Sequence, residues 1–431
     1  MSRHPHRRLL LILALGLVLR LGFVVYRQAT VPAGRLLMDA HGVYDDQLEY
    51  DTTAWNIVAG NGFWSSDYGG SPYFSEPAYP LLVASIYAVG GHHPALVLLV
   101  QALLGTLSCY LLYRITRKWL GLRPGLLAAL LLALHPNHIF YTAFLMGETL
   151  KVFMVILLIL AVLHSLRRPG WTSLAAAGLA AGAAAMTRIV VLPYLVLLTF
   201  LYIIVFRGVR AARWSFAVYL LAAVAVLLPW SWRNHTLTGV FSPVHPRAGR
   251  MLAESSDPYS AKRLAHDPQY RQGAAAGVDQ ETRQAMESSE KSGLPGMIAG
   301  TLRLWGSRLG RTPGEALWLL GARFVGFWKL YPQGGPYALR IFQAYSLILN
   351  GGIFLLAALA CLRPRLRASA LAALLLLIGT FVAIHLLYQT VPMRYRMPIE
   401  PALIMLAAAG SPLVDRRRIP PSMHLDSPSE P

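Results

Sequence analysis

Asp45, Asp46, Glu49 and Asp51 fall within seven residues, in a chain of which only 14% is charged. Side chains of this type can take a proton from a hydroxyl or hold a divalent cation. Asp46 and Tyr50 stand four apart, so a helix over about 46–59 would set them on one side. Gly60, Asn61 and Gly62 would end it, because glycine at a helix C-terminus takes up the left-handed backbone cheaply. The bland reading of each acid is a solvated residue favoured by the positive end of a helix dipole. Four together just beyond an apolar run ask for more than that.

Other polar residues recur at the edges of apolar runs: Glu76, Glu148 with Lys151, Arg188, Arg233, and Arg394-Tyr395-Arg396. Guanidinium groups match phosphate oxygens bidentately and can hold the charge of a leaving phosphate. Acids and bases converging from distant parts of a chain make a site for a charged substrate. Their chemistry is a reaction on a membrane-borne phosphate or pyrophosphate. Against this, Glu148 could simply cap a helix and the arginines could be interfacial anchors. His135 and His138 could ligate a metal with Glu148, although Pro136 between them reads more readily as a turn.

The elements that must position these residues are membrane helices. The chain has 431 residues, 55% hydrophobic, a formal net charge of +19 and a mean hydropathy of +0.47. Apolar runs of about 18 or more residues recur, the length that crosses ~30 Å of hydrocarbon. An all-α membrane protein of about ten transmembrane helices is expected, at about 9–26, 94–113, 125–141, 149–166, 171–186, 189–206, 214–230, 341–362, 368–388 and 399–413. The apolar piece 80–89 is too short to span and reads as interfacial or re-entrant. Basic residues gather in short loops (Arg114, Arg117, Lys118 and Arg123; Arg167 and Arg168; Arg207, Arg210 and Arg213; Arg363, Arg365 and Arg367; Arg416 to Arg418). That positive-inside distribution places both termini in the cytoplasm of a cell-membrane protein and the acidic stretch outside. It also argues against nucleic acid as the partner, since the charge forms no single basic face. Arg20, within the first span, either snorkels outward or faces a site. Residues 1–230 form an N-terminal membrane module whose first outer loop is 27–93. Residues 231–340 form an extracytoplasmic helical loop domain, 341–418 the C-terminal membrane helices, and 419–431 a disordered tail. Cys109 and Cys361 lie in apolar runs and suggest neither disulfide nor metal spacing.

Five segments carry a family resemblance: Asp46-Gln47-Leu48-Glu49-Tyr50 with Gly60-Asn61-Gly62-Phe63; Pro77-Ala78-Tyr79-Pro80-Leu81-Leu82; Gly147-Glu148-Thr149; Leu228-Pro229-Trp230-Ser231-Trp232-Arg233-Asn234; and Arg394-Tyr395-Arg396-Met397-Pro398-Ile399-Glu400-Pro401. In order and placement they resemble the polytopic GT-C glycosyltransferases that use lipid-linked sugars, in the branch of protein O-mannosyltransferases and aminoarabinose transferases. The resemblance implies a polyprenyl-phosphate-linked sugar donor, a lipid, glycan or protein acceptor, and inversion at the anomeric carbon. It implies Asp46 as catalytic base, with Asp45 able to share the role because Gln47 stands where an acid often follows. Glu148 matches the second acid. Arg394 and Arg396 would grip the carrier phosphate, supported by Tyr395, Arg233, Lys151, Arg188 and Tyr50. Some relatives have Lys or His where Glu76 stands, which leaves a divalent metal ion as the open cofactor question.

The rival reading is a transporter or flippase for lipid-linked sugars. It would want charged residues at mid-membrane depth in paired, broken helices, and apart from Arg20, His164 and His385 the apolar runs are nearly free of them. A third reading, a non-catalytic membrane subunit, leaves the acids unexplained.

Overall fold

The structure, a computed structural model, describes residues 5–31, 46–65, 71–72, 76–206, 215–244, 280–331, 340–362, 366–388 and 393–414. Asp45, the basic residues Arg207, Arg210, Arg213, Arg363, Arg365 and Arg416 to Arg418, and the tail lie outside them.

The described chain is helical, and its long apolar helices make it a multi-pass membrane protein. In order, α1 is Pro5–Thr30, α2 Asp46–Val58, α3 Ala78–Gly90, α4 Pro94–Leu120, α5 Leu122–Ala133, α6 Pro136–Thr142, α7 Glu148–Arg167, α8 Trp171–Thr187, α9 Val191–Phe206 and α10 Ser215–Thr238. Then come α11 Gln280–Arg311, α12 Pro313–Phe327, α13 Arg340–Leu362, α14 Ala368–Tyr388, a 3-10 segment Met393–Ile399 and α15 Glu400–Gly410. A two-residue antiparallel pairing of Trp64–Ser65 with Ser71–Pro72 follows α2.

Six of these helices (α1, α4, α7, α10, α13 and α14) are long and apolar enough to cross a bilayer, and the bent pair α5–α6 makes up to seven. The expected count of ten is therefore not reached on length alone. Helices α8 and α9 have 17 and 16 residues, about 25 Å at 1.5 Å per residue, a little short of the ~30 Å hydrocarbon. The expected last span is the eleven-residue α15, apolar on every side and buried along nearly its whole length, which makes it a core helix. The expected seventh span does not stop at Trp230: α10 runs through Pro229 to Thr238, carrying Arg233 on its last turns. The short apolar piece is α3, thirteen residues, too short to span.

Outward-facing positions are apolar (Leu10, Val18, Leu221, Ile348 and Leu355 are all exposed), as lipid contact requires. Inside, small residues bring helices close. A Cβ on Gly178 would meet the backbone oxygen of Tyr219 at 2.1 Å, and one on Gly182 that of Ala223 at 2.8 Å. These two glycines, four apart on α8, let α10 pack backbone to backbone.

Arg20 does not snorkel. It is 1% exposed and donates from Nη1 to the Gly16 and Ala133 carbonyls at 2.9 and 3.3 Å, and from Nη2 to that of Leu132 at 3.2 Å. The cause lies in Pro136, which lacks the N–H that would bond the Leu132 carbonyl four residues back. The helix breaks there, α6 departs at 50° from α5, and Arg20 adds donors to the carbonyls at the break, that of Leu132 also accepting the His135 N–H at 3.4 Å.

Asp51 and Arg167 mark opposite ends of the bundle. Beside the start of α4, His92 contacts Asp51 of α2 at 2.9 Å. At its far end Arg167, closing α7, donates to the Lys118 carbonyl at 3.2 Å. The 27 residues of α4 separate the two ends by about 40 Å.

Candidate active site

The site is assembled around the entry to α7. Gln101 on α4 accepts from the Tyr79 hydroxyl at 2.7 Å and donates to the Thr142 and Phe144 carbonyls at 3.0 and 2.8 Å. Those bonds hold the linker between α6 and α7, whose Leu145 N–H is taken by the buried Gln47 Oε1 at 3.1 Å. Tyr50 sets its ring edge-on to Tyr79, 4.8 Å between centroids. The helix bearing the acids is thus tied to the linker that delivers Glu148. It begins at Asp46 and gives way to Gly60 and Gly62, at φ 83° and 74°, conformations that favour glycine. Asp51 bonds Tyr87 and His92 and anchors α2 to α3. Glu76 accepts the Ile189 N–H at 3.1 Å and ties the start of α3 to the α8–α9 linker.

Asp46 meets Arg394: Oδ2 to Nη2 is 3.0 Å, with side-chain exposures of 46% and 23% for the acid and the base. The pair is open to a ligand. Arg394 Nη2 also donates to the Tyr395 hydroxyl at 3.2 Å. On the other side of Tyr395 stands Arg188, its guanidinium 4.4 Å from the ring centroid and Nη2 3.1 Å from His385 Nε2. Glu148 and Lys151 form a buried pair at 3.4 Å, and the charges of Arg394 and Arg188 act on the same carboxylate. Three buried polar atoms here have no hydrogen-bond partner: Glu148 Oε2, Arg188 Nε and Arg394 Nε. Buried polar atoms are nearly always paired, so unpaired atoms of both signs in one cluster mark a place for a polar ligand.

Of the residues singled out from sequence, Asp46, Glu148, Lys151, Arg188, Arg394 and Tyr395 gather here, with Tyr50 beneath them. Arg396 is placed differently. It is fully buried and donates to the Phe327 and Lys329 carbonyls at 2.9 and 2.7 Å, to Asn350 Oδ1 at 3.3 Å and to Glu400 Oε1 at 3.3 Å. Arg233 lies over Trp230, 4.3 Å to the centroid, and donates to the Phe63 carbonyl at 3.3 Å. His385 was not singled out for the site. Its only sequence signal is an imidazole inside an apolar span.

Asp46 pairs with Arg394 and Glu148 with Lys151, and among the described residues neither acid belongs to a group of side chains placed to hold a metal ion. Among the described residues, the side chains grouped so that they could hold one are His135, His138 and Glu400. The expected third member, Glu148, pairs with Lys151 instead.

Residues 72–232 match the family model of the dolichyl-phosphate-mannose-protein mannosyltransferases. No curated protein matches the chain. Similar solved structures include the Archaeoglobus fulgidus oligosaccharyltransferase AglB in complex with an inhibitory peptide and a dolichol-phosphate. That comparison has a TM-score of 0.56 and 16% identity, covering 95% of this chain and 50% of that one. The apo form of the A. fulgidus enzyme gives the same score and identity over 94% and 51%. ArnT from Cupriavidus metallidurans bound to undecaprenyl phosphate aligns at 15% identity over 93% and 77%, with a TM-score of 0.42. This chain therefore spans about half the length of the oligosaccharyltransferase it matches. The helical bundle, with the acid-bearing α2 packed on α3 and Glu148 opening α7, has the GT-C fold.

Proposed function

We propose that this protein is a membrane glycosyltransferase that moves a sugar from a polyprenyl-phosphate carrier to a hydroxyl acceptor, with inversion. The observation that carries the reading is the half-exposed Asp46 carboxylate held 3.0 Å from Arg394, beside the unpaired donors of Arg394 and Arg188. One such arrangement supplies both a proton acceptor and an anion grip.

In this reading the carrier phosphate draws Arg394 away from Asp46 and binds it together with Arg188 and Lys151. The freed carboxylate takes the proton of the acceptor hydroxyl. The acceptor oxygen forms a bond to the anomeric carbon as the bond from that carbon to the phosphate oxygen breaks. The carrier leaves as a phosphate anion, its charge balanced by the guanidinium groups. Glu148 holds Lys151 in place and keeps the surrounding cations from repelling one another. Asp45 remains a candidate to share the proton. Arg396, with its donors committed within the protein, anchors the 3-10 segment that presents Arg394, and Arg233 shapes the rim near Phe63. The dolichol-phosphate in AglB and the family match over residues 72–232 support a lipid-phosphate donor. The basic residues at the far end of α4 and α7 support a site on the extracytoplasmic side.

The test is label transfer from a panel of radiolabelled polyprenyl-phosphate sugars by purified protein in detergent micelles, where two membrane sides do not exist. Transfer or slow hydrolysis of one donor, lost in Asp46→Asn and Glu148→Gln, is expected. Failure of folded protein to bind or turn over any donor would overturn the reading.

A further inference from the structure

Glu400, His135 and His138 converge on one buried point away from the Asp46–Arg394 pair. His135 lies in the break between α5 and α6, His138 in the first turn of α6, and Glu400 opens α15. All three are buried, at 0%, 6% and 2% exposure. Their nearest ligand-capable atoms lie within 4.8 Å of one another. Glu400 Oε2 is 2.7 Å from His138 Nε2 and 3.5 Å from His135 Nε2.

Hydrogen bonding leaves this cluster incomplete. Neither ring nitrogen of His135 has a partner of acceptable geometry. Asn350 lies alongside, but both protons of its amide go to the Leu330 and Ser346 carbonyls, at 2.9 and 3.0 Å. A buried imidazole with a lone pair that no donor meets is costly. A metal ion relieves it. Ligand atoms bound at about 2.0–2.1 Å around a tetrahedral ion stand roughly 3.4 Å apart; here Glu400 Oε2 is 2.7 Å from His138 Nε2, a hydrogen bond that the ion would replace, and 3.5 Å from His135 Nε2, and the three atoms span at most 4.8 Å. The other carboxylate oxygen, Oε1, is held by Arg396 Nε at 3.3 Å. Such an outer hydrogen bond is what orients a carboxylate ligand, and it turns the second oxygen toward the two imidazoles. The residue types suit zinc: two neutral imidazoles and one carboxylate are a ligand set it accepts.

We infer that His135, His138 and Glu400 form a zinc site that pins the α5–α6 break to the start of α15. Glu400 also holds Arg396, in the same 3-10 segment as Arg394, so the ion would stiffen the support of the candidate active site from below. The inference stands apart from the glycosyltransferase reading, because it would hold for any activity of the chain.

The test uses full-length protein purified through a tag without histidine. Its metal content is measured by mass spectrometry, and the protein stripped with chelator is then titrated with Co2+. The expected result is about one zinc per chain, and visible absorption bands of a low-symmetry Co2+ site on reloading. Those bands should vanish in His135→Ala and His138→Ala and persist in His92→Ala, an imidazole on the other side of the bundle entry. If the histidine variants fail to fold, the wild-type spectrum and metal content decide alone. Wild-type protein with neither zinc nor Co2+ bands would overturn the inference, as would bands that survive both histidine substitutions.

Discussion

The carboxylate of Asp46 and the guanidinium of Arg394 are 348 positions apart in the chain and meet at 3.0 Å. Because the pair is partly exposed, its worth to folding is small, about 0–1 kcal/mol, whereas in the proposed reaction its carboxylate takes the acceptor proton. Asp46→Asn is expected to lower sugar transfer by about 10²–10⁴-fold with almost no change in thermal unfolding. Label transfer and unfolding in detergent, run side by side, check both halves. Equal loss of stability and activity would count against the assignment.

Arg396 should behave in the opposite way. Its removal takes the donor from Glu400 Oε1 and from two backbone carbonyls, of Phe327 and Lys329. Arg396→Ala is expected to destabilise by about 3–5 kcal/mol, the range for breaking a buried ion pair. Arg394→Ala should unfold within about 1 kcal/mol of the wild type. Thermal unfolding of the two variants separates an anchor from a ligand-facing arginine.

Glu148 stands among Lys151, Arg394 and Arg188, so its loss uncovers three cations where the loss of Lys151 leaves two to compensate it. Glu148→Gln should therefore cost more stability than Lys151→Met. The double variant should recover about 1–3 kcal/mol relative to additivity while remaining inactive. Strictly additive effects would mean that the pair at 3.4 Å carries no coupling.

Gly178 lies where a methyl group would overlap the Tyr219 carbonyl at 2.1 Å. Gly178→Ala must push α10 away from α8, at a cost of about 1–3 kcal/mol or more. Unfolding measurements should show this, and Gly306→Ala, with open space around it, should show none.

Burial and the hydrogen bond to Asp51 raise the Tyr87 hydroxyl above its ordinary phenolic value. A raised folded value means that the native state holds its proton more tightly than the unfolded chain. The stabilisation is thus complete below about pH 10 and is lost as the pH climbs through the folded value. Alkaline unfolding of the wild type should accordingly be steeper than that of Tyr87→Phe, which has no phenolic proton to lose.

Periodicity and length were enough to show that the apolar runs are helices, because such a run in lipid has no alternative to the helix for its backbone hydrogen bonds, but not to show which of them are long enough to span. Helix α2 was legible from Asp46 to its glycine stop for a local reason: the spacing of its polar residues and the conformational freedom of Gly60 are both short-range. The break at Pro136 was legible too, but not its consequence, since nothing near Arg20 in the chain announces the Leu132 carbonyl that it serves.

The residue types of the site were also written in the sequence, as charges at the edges of apolar runs where a charge is expensive unless it is used. Which of them meet was decided in three dimensions. Arg394 and Arg396 are two apart in a 3-10 segment, with about three residues per turn, so they point in different directions: one to Asp46, the other into the core against Glu400. His135 and His138, at the turn that Pro136 announced, lie beside Glu400 and not Glu148, because α15 inserts as a buried helix whose first residue reaches the α5–α6 break. The chain by itself determined a helical membrane protein with a phosphate-type set of acids and arginines at one end. Only the packing of α15 and its preceding segment against α5, α6 and α7 decided which arginine meets Asp46 and which is buried against Glu400, because that choice rests on contacts between residues hundreds of positions apart.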